Sequence, residues 1–167
     1  AYLITDHKYG VTLQSVVQSP DYAEVNIKTI IEWIIDICDA IAHLHELNPP
    51  VLFRVLDAEK VVIDDFGHAY LIDLSGVSVY EQGSRGAMIG VDGYAAPEQY
   101  DGEHLPQSDV YSIGALLHYL LTGRDPRLAK RFSFVDRPVR KLNPKVSKGL
   151  DMIVYKALAY DPKFRFR

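Results

Sequence analysis

Apolar residues recur along the chain with several distinct spacings, and each spacing predicts an element. The opening run AYLIT (1–5) is continuous, as in a short buried strand, and Gly10 interrupts the segment after it. Residues 12–18 fit a short helix. A long helix is predicted over about 24–47, where Ile27, Ile30, Ile31, Ile34, Cys38, Ile41 and His45 recur every three or four residues. Ile35, Ile37 and Leu44 widen that stripe, which predicts cover on more than one side. Asn48-Pro49-Pro50 ends the helix, since proline lacks the amide donor and disfavours helix in the residue before it.

Two short β runs follow, VVID (61–64) and HAYLID (68–73), with Asp64-Asp65-Phe66-Gly67 at the turn of a predicted hairpin. The stretch 75–93 carries Gly and Ser without periodicity and reads as a long surface loop. Ser108-Asp109 then open a helix that Gly123 closes. Between them VYSIGALLHYLLT is apolar nearly all round, the pattern of a helix in the middle of a core. A last helix is predicted from Ser147, as N-cap, to about Tyr160, with Leu150, Ile153, Val154, Ala157 and Leu158 as its apolar positions. Helix dominates around a small β element, so the fold class is α+β, mainly α.

Composition narrows the function. Hydrophobic residues make up 48% of the 167 and charged residues 24%, as in ordinary globular domains. With 18 basic and 22 acidic residues the formal charge is −4, unlike the basic faces that neutralise nucleic-acid phosphates. No apolar run approaches the roughly 20 residues of a bilayer-spanning helix. Neither nucleic acid nor direct membrane contact is therefore expected. The single cysteine, Cys38, leaves no internal disulfide framework and fits a reducing, cytoplasmic setting; its place on the apolar stripe makes it a small core residue. The six histidines show no metal-ligand spacing. The basic run Arg137, Arg140, Lys141, Lys145 and Lys148 reads as a solvated surface, or alternatively as a partner-binding patch. Both ends read as cut, which makes the chain part of a longer protein.

Five local strings carry a resemblance. GYAAPEQY (93–100) is similar to the end of a protein-kinase activation segment, and SDVYSIGALLHYLLTGRDP (108–126) to the helix that follows it. LIDLSG (71–76) stands where the Asp-Phe-Gly motif belongs, and FRVLDAEKVVI (53–63) where the catalytic loop belongs. DPKFRFR (161–167) resembles the Asp-Pro-x-x-Arg signature. Their order resembles the C-terminal lobe of eukaryotic-type protein kinases, in a style similar to the bacterial serine/threonine kinases. The resemblance implies a protein-kinase-like C-lobe over 1–167, with a small β-hairpin and a central buried helix. Residues 1–10 would be the last strand of the small N-lobe and the hinge, 53–63 a degenerate catalytic loop, and 73–98 the activation segment. The rest of the N-lobe is not in the sequence.

Phosphoryl transfer needs a group that orients the attacking hydroxyl and oxygen ligands for Mg²⁺. The family's catalytic loop reads His-Arg-Asp, with Asn five residues after the Asp. Against that pattern His is Phe53, Arg is kept as Arg54, Asp is Val55 and Asn is Lys60. Val55 has no proton acceptor, and Lys60 puts a cation where the family holds Mg²⁺. Asp57 stands in place of the loop's usual lysine and inverts its charge; its alternative role is that of a displaced base. Asp73 keeps the metal-binding aspartate's position, or simply ends a strand by bonding nearby backbone. No catalytic, metal or cofactor site is therefore expected; ATP and Mg²⁺ enter only under the alternative that the chain is a serine/threonine kinase or other transferase with atypical phosphotransfer.

What the resemblance retains is structural. Glu98 and Arg165 match the family's buried ion pair, and Asp109 the aspartate that holds the catalytic-loop backbone. Phe53 and Leu74 replace His and Phe with side chains that still pack. Ser78 and Ser84 are either ordinary loop serines or regulatory phosphorylation sites whose phosphate Arg54 would pair with, as the resemblance implies. Val62 matches the vestigial adenine floor, an apolar surface expected to be covered by another domain or subunit. The expectation is a pseudokinase that works as a scaffold or regulatory module by binding a protein partner or other domains of the same chain.

Overall fold

In the computed structural model, which describes residues 8–167, the chain enters through a two-residue strand, β1 (Val11–Thr12), and turns directly into α1 (Leu13–Gln18). Thr12 makes that turn possible: its Oγ1 accepts the Ser15 amide at 3.2 Å and caps the helix. The strand expected at 1–5, with Tyr2, Leu3 and Ile4, lies outside the described residues.

A 3-10 turn, Pro20–Glu24, leads to α2 (Ile27–Glu46). α2 starts later than its periodicity predicts because Asn26 caps it, accepting the amides of Lys28 at 2.6 Å and Thr29 at 3.2 Å. Its buried face carries Ile30, Trp33, Ile34, Ile37 and Ile41. Cys38, expected in the core, is exposed. At about 100° per residue it lies roughly 90° round from the centre of that face, which is shifted toward Trp33 and Ile37. Ile35 is also exposed, so α2 is covered on one side and not on several.

After β2 (Val51–Leu52), β3 (Val61–Ile63) and β4 (Ala69–Leu71) form the predicted antiparallel hairpin, with Val62 opposite Tyr70. Asp64 organises its turn by accepting the amides of Phe66 and His68, each at 2.9 Å, while Gly67 takes φ +86°. β1 adds to the other side of β3, giving the order β1-β3-β4. α2 holds the hairpin by its polar edges: Trp33 Nε1 donates to the Gly67 carbonyl at 3.0 Å, and Asp36 accepts the Ala69 amide at 2.9 Å.

The stretch expected as a loop contains a 3-10 turn, Leu74–Gly76, and a short strand, β5 (Ser78–Val79), which pairs antiparallel with β2. Two residues are too few for a period to register. α3 (Pro97–Tyr100) precedes α4 (Pro106–Thr122), which is buried on almost every side and closes at Gly123 with φ +66°. α4 opens two residues before Ser108 because Pro106 suits a first helical turn. α5 (Val139–Leu142) and α6 (Lys148–Ala157) finish the core. α6 meets α4 at Gly114, where a Cβ would come within 2.8 Å of Ala157 Cβ. α6 ends at Ala157, short of Tyr160, and its Ile153 faces out. Among the described residues no helix is long and apolar enough to cross a membrane.

Candidate functional site

The segment after β2 is held from below by α4. Asp109 sits in its first turn, 1% exposed, and its two oxygens gather three donors. Oδ2 accepts the Phe53 amide at 2.9 Å and His45 Nε2 at 2.8 Å; Oδ1 accepts the Arg54 amide at 2.7 Å. Both amides reach one carboxylate because Arg54 adopts φ +67°, a left-handed conformation that a non-glycine residue keeps only when its surroundings impose it. Phe53 is fully buried in the core beside this bend. His45 is a residue that sequence reasoning missed, although its place on the helical stripe pointed inward.

Beyond the bend, the loop closes onto the 3-10 turn that follows Asp73. Arg54 Nε donates to the Gly76 carbonyl at 2.7 Å. Val55 packs its methyls on Gly76, where a Cβ would lie 2.0 Å from Val55 Cγ2. This position is occupied by an apolar contact. Gly76→Ala is expected to destabilise the fold by about 1–3 kcal/mol through overpacking, measured by urea unfolding, and Val55→Ala in the same chain should recover most of that loss. Additive losses in the double variant would contradict the contact.

Lys60 and Asp73 are brought together by the hairpin. The Ile72 amide donates to the Lys60 carbonyl at 2.8 Å, which places the residues flanking β3 and β4 side by side. There the Lys60 ammonium donates to Asp73 Oδ2 in a direct ion pair. Asp73 Oδ1 accepts the Ser75 amide at 3.1 Å, so the carboxylate also caps the 3-10 turn, from a left-handed backbone at φ +57°. The ammonium beside it, and then Ser75, hold the Asp73 carboxyl down at about 2. Lys60 is half-buried, with its side chain 21% exposed.

Asp57 is bound into the turn just before β3. Its Oδ1 accepts the amides of Glu59 at 2.8 Å and Lys60 at 3.0 Å, closing the turn before β3, and burial pushes its carboxyl above the ordinary range. Magnesium in a phosphoryl-transfer site takes one or two protein carboxylates and completes its octahedron with water and phosphate oxygens. The carboxylate here, Asp73, has one oxygen already held by an ammonium. Among the described residues no three Asp, Glu, His or Cys side chains converge as metal ligands. The residues present do not fit the metal.

The end of the segment is anchored by an ion pair. Arg165 meets Glu98 through two parallel bonds, Nη1 to Oε1 at 2.6 Å and Nη2 to Oε2 at 2.9 Å. Its remaining donors reach the carbonyls of Gln107, Ala159 and Tyr160, and its guanidinium lies 4.9 Å from the Tyr111 ring centre. Ser108 Oγ donates to Glu98 Oε1 at 2.7 Å. Gln99, a second residue missed from sequence, is fully buried and ties three segments of this site together: its Oε1 accepts the Ala96 amide, and its Nε2 donates to the carbonyls of Arg54 and Ile89.

The other candidates lie apart. Ser78 is in β5, with its hydroxyl on the Val79 carbonyl; Ser84 is exposed in the following turn. Leu74 packs half-buried against the core. Val62 is 5% exposed, paired between β1 and β4, and a Cβ on Gly10 would press to 2.7 Å from its Cγ1.

The family model described as protein kinase domain matches residues 1–166. The chain is 31% identical to serine/threonine-protein kinase PknB of Mycobacterium tuberculosis, over 99% of this chain and 28% of that protein. It is 30% identical to PknB of Mycolicibacterium smegmatis with the same coverage, and 28% identical to a probable serine/threonine-protein kinase of Streptomyces coelicolor, over 99% of this chain and 26% of that protein. The chain thus spans little more than a quarter of the length of these relatives. It belongs to the protein kinase domain family.

Proposed function

We propose that the chain is the large helical lobe of a degenerate bacterial-type protein kinase, which transfers no phosphate and acts by binding a protein partner or another domain. One observation carries this reading: the Lys60 ammonium is ion-paired with Asp73, the carboxylate a metal-dependent transferase would need open. Val55 supports it, since an aliphatic side chain packed on Gly76 orients no hydroxyl. The geometry around Asp109, Glu98 and Arg165 supports the second half, because a well-fastened framework suits a docking block. A cytoplasmic setting and independence from ATP and Mg²⁺ belong to the same proposal. Transfer of radiolabelled γ-phosphate by the full-length protein tests it, with Asp73→Asn and Asp57→Asn alongside. The expected result is background incorporation in all three. Transfer by the wild type that either substitution abolishes would restore the transferase reading.

A further inference from the structure

A groove of about 630 Å³ runs between the end of α1, the end of α4 and the segment leading into α5. Two guanidiniums line it, those of Arg124 and Arg137, and among the described residues neither has a carboxylate partner. Asp125, the acidic residue of the lining, is held by Arg127 through Nε and through Nη2 at 2.8 Å. Arg137 is braced in place: its Nε donates to the Ser133 carbonyl at 3.4 Å and its guanidinium lies 5.2 Å from the Phe134 ring centre. Burial pushes Arg137 below its ordinary value; Asp136 opposes that shift and the like charge of Arg124 adds to it.

Between these charges the groove offers apolar surface. Leu128 is 88% exposed and Leu142 37% exposed. An exposed leucine thus lies beside two guanidiniums that, among the described residues, hold no carboxylate at ion-pair distance, which makes the groove locally positive in a chain whose net charge is −4. It fits one kind of occupant. We propose that this groove docks an acidic segment of a partner protein, with an apolar side chain against Leu128 and Leu142 and flanking carboxylates on Arg124 and Arg137. Guanidinium pairs favour carboxylates through paired, planar hydrogen bonds, and the leucines supply the non-ionic part of the contact. The inference rests on the partner-binding reading above and gives it a surface and a partner chemistry.

The test uses the full-length protein and a fluorescent synthetic peptide carrying one leucine flanked by glutamates, with two controls in which glutamine or lysine replaces the glutamates. Fluorescence anisotropy should show saturable binding of the acidic peptide alone, weakening as salt rises. Arg124→Ser with Arg137→Ser should weaken it at least tenfold, and Leu128→Ser several-fold, while Lys148→Ser, outside the groove, leaves it unchanged. Equal binding of the glutamine peptide, indifference to the double substitution, or binding of anionic lipid vesicles in place of the peptide would each overturn the proposal. So would an absence of peptide binding by a folded protein. The phosphate-transfer measurement is separate, so the docking proposal can fall while the inactive reading stands, and the reverse.

Discussion

Arg165→Ala is expected to remove about 3–5 kcal/mol of folding stability, because truncating one partner of a buried ion pair leaves the other charge alone. Glu98 is 8% exposed and would keep Ser108 as its remaining side-chain donor. The loss also frees the carbonyls of Gln107, Ala159 and Tyr160, which Arg165 now satisfies. Small domains are stable by only about 5–15 kcal/mol, so the variant should unfold at far lower urea concentration. Arg165→Lys keeps the charge but not the planar fork, and should fall between. The contrast is Arg131→Ala. That residue pairs with Asp92 at 2.7 Å, but both side chains are more than half exposed, so its loss should be small beside that of Arg165→Ala. Equal losses at Arg131 and Arg165 would contradict this account of what fastens the lobe.

Asp109→Ala should have the second large effect. It strands the amides of Phe53 and Arg54, and His45 Nε2, beneath a buried bend. At about 1–3 kcal/mol for each buried donor left unpaired, the two amides alone imply roughly 2–6 kcal/mol. The bend itself should also relax, since Arg54 loses what holds its left-handed backbone. Asp109→Asn keeps one acceptor oxygen and should cost less. Hydrogen exchange reads the local effect: the Phe53 and Arg54 amides should lose protection in Asp109→Ala under conditions where α4 stays protected. Unchanged protection at those two amides would show that Asp109 does not support the loop.

The strongest periodic signals led to the right elements. α2, α4 and the β3–β4 hairpin follow from spacing, turn residues and breakers alone, and the string matches placed Glu98 and Arg165 as partners before any distance was known. Failures came where the signal was one-dimensional and the answer was not. Cys38 falls within a stripe drawn from alternating isoleucines, but Trp33 draws the buried face round the helix and leaves the thiol outside. His45 and Gln99 bond to elements 64 and 45 residues away, which no local pattern encodes. Lys60 showed a charge conflict in the sequence, yet not its partner. Hairpin register supplies that step: Val61 opposes Leu71, so Lys60 and Asp73 flank the same end of the ladder. β2 and β5, two residues each, are too short to announce themselves.

The claim on which the functional reading turns is that an internal ammonium, not a metal ion, serves the Asp73 carboxylate. Its most direct test is the Asp73 side-chain ¹³C resonance, followed from about pH 6 to about pH 3 with and without Mg²⁺. The carboxyl is depressed from its ordinary 3.8 to about 2, so its stabilising pairing is complete above 3.8 and is lost only as pH falls through about 2. The account predicts almost no titration across that range in the wild type, no response to Mg²⁺, and a midpoint returning toward 3.8 in Lys60→Met. A wild-type midpoint near 3.8, or a saturable shift on adding Mg²⁺, would contradict it.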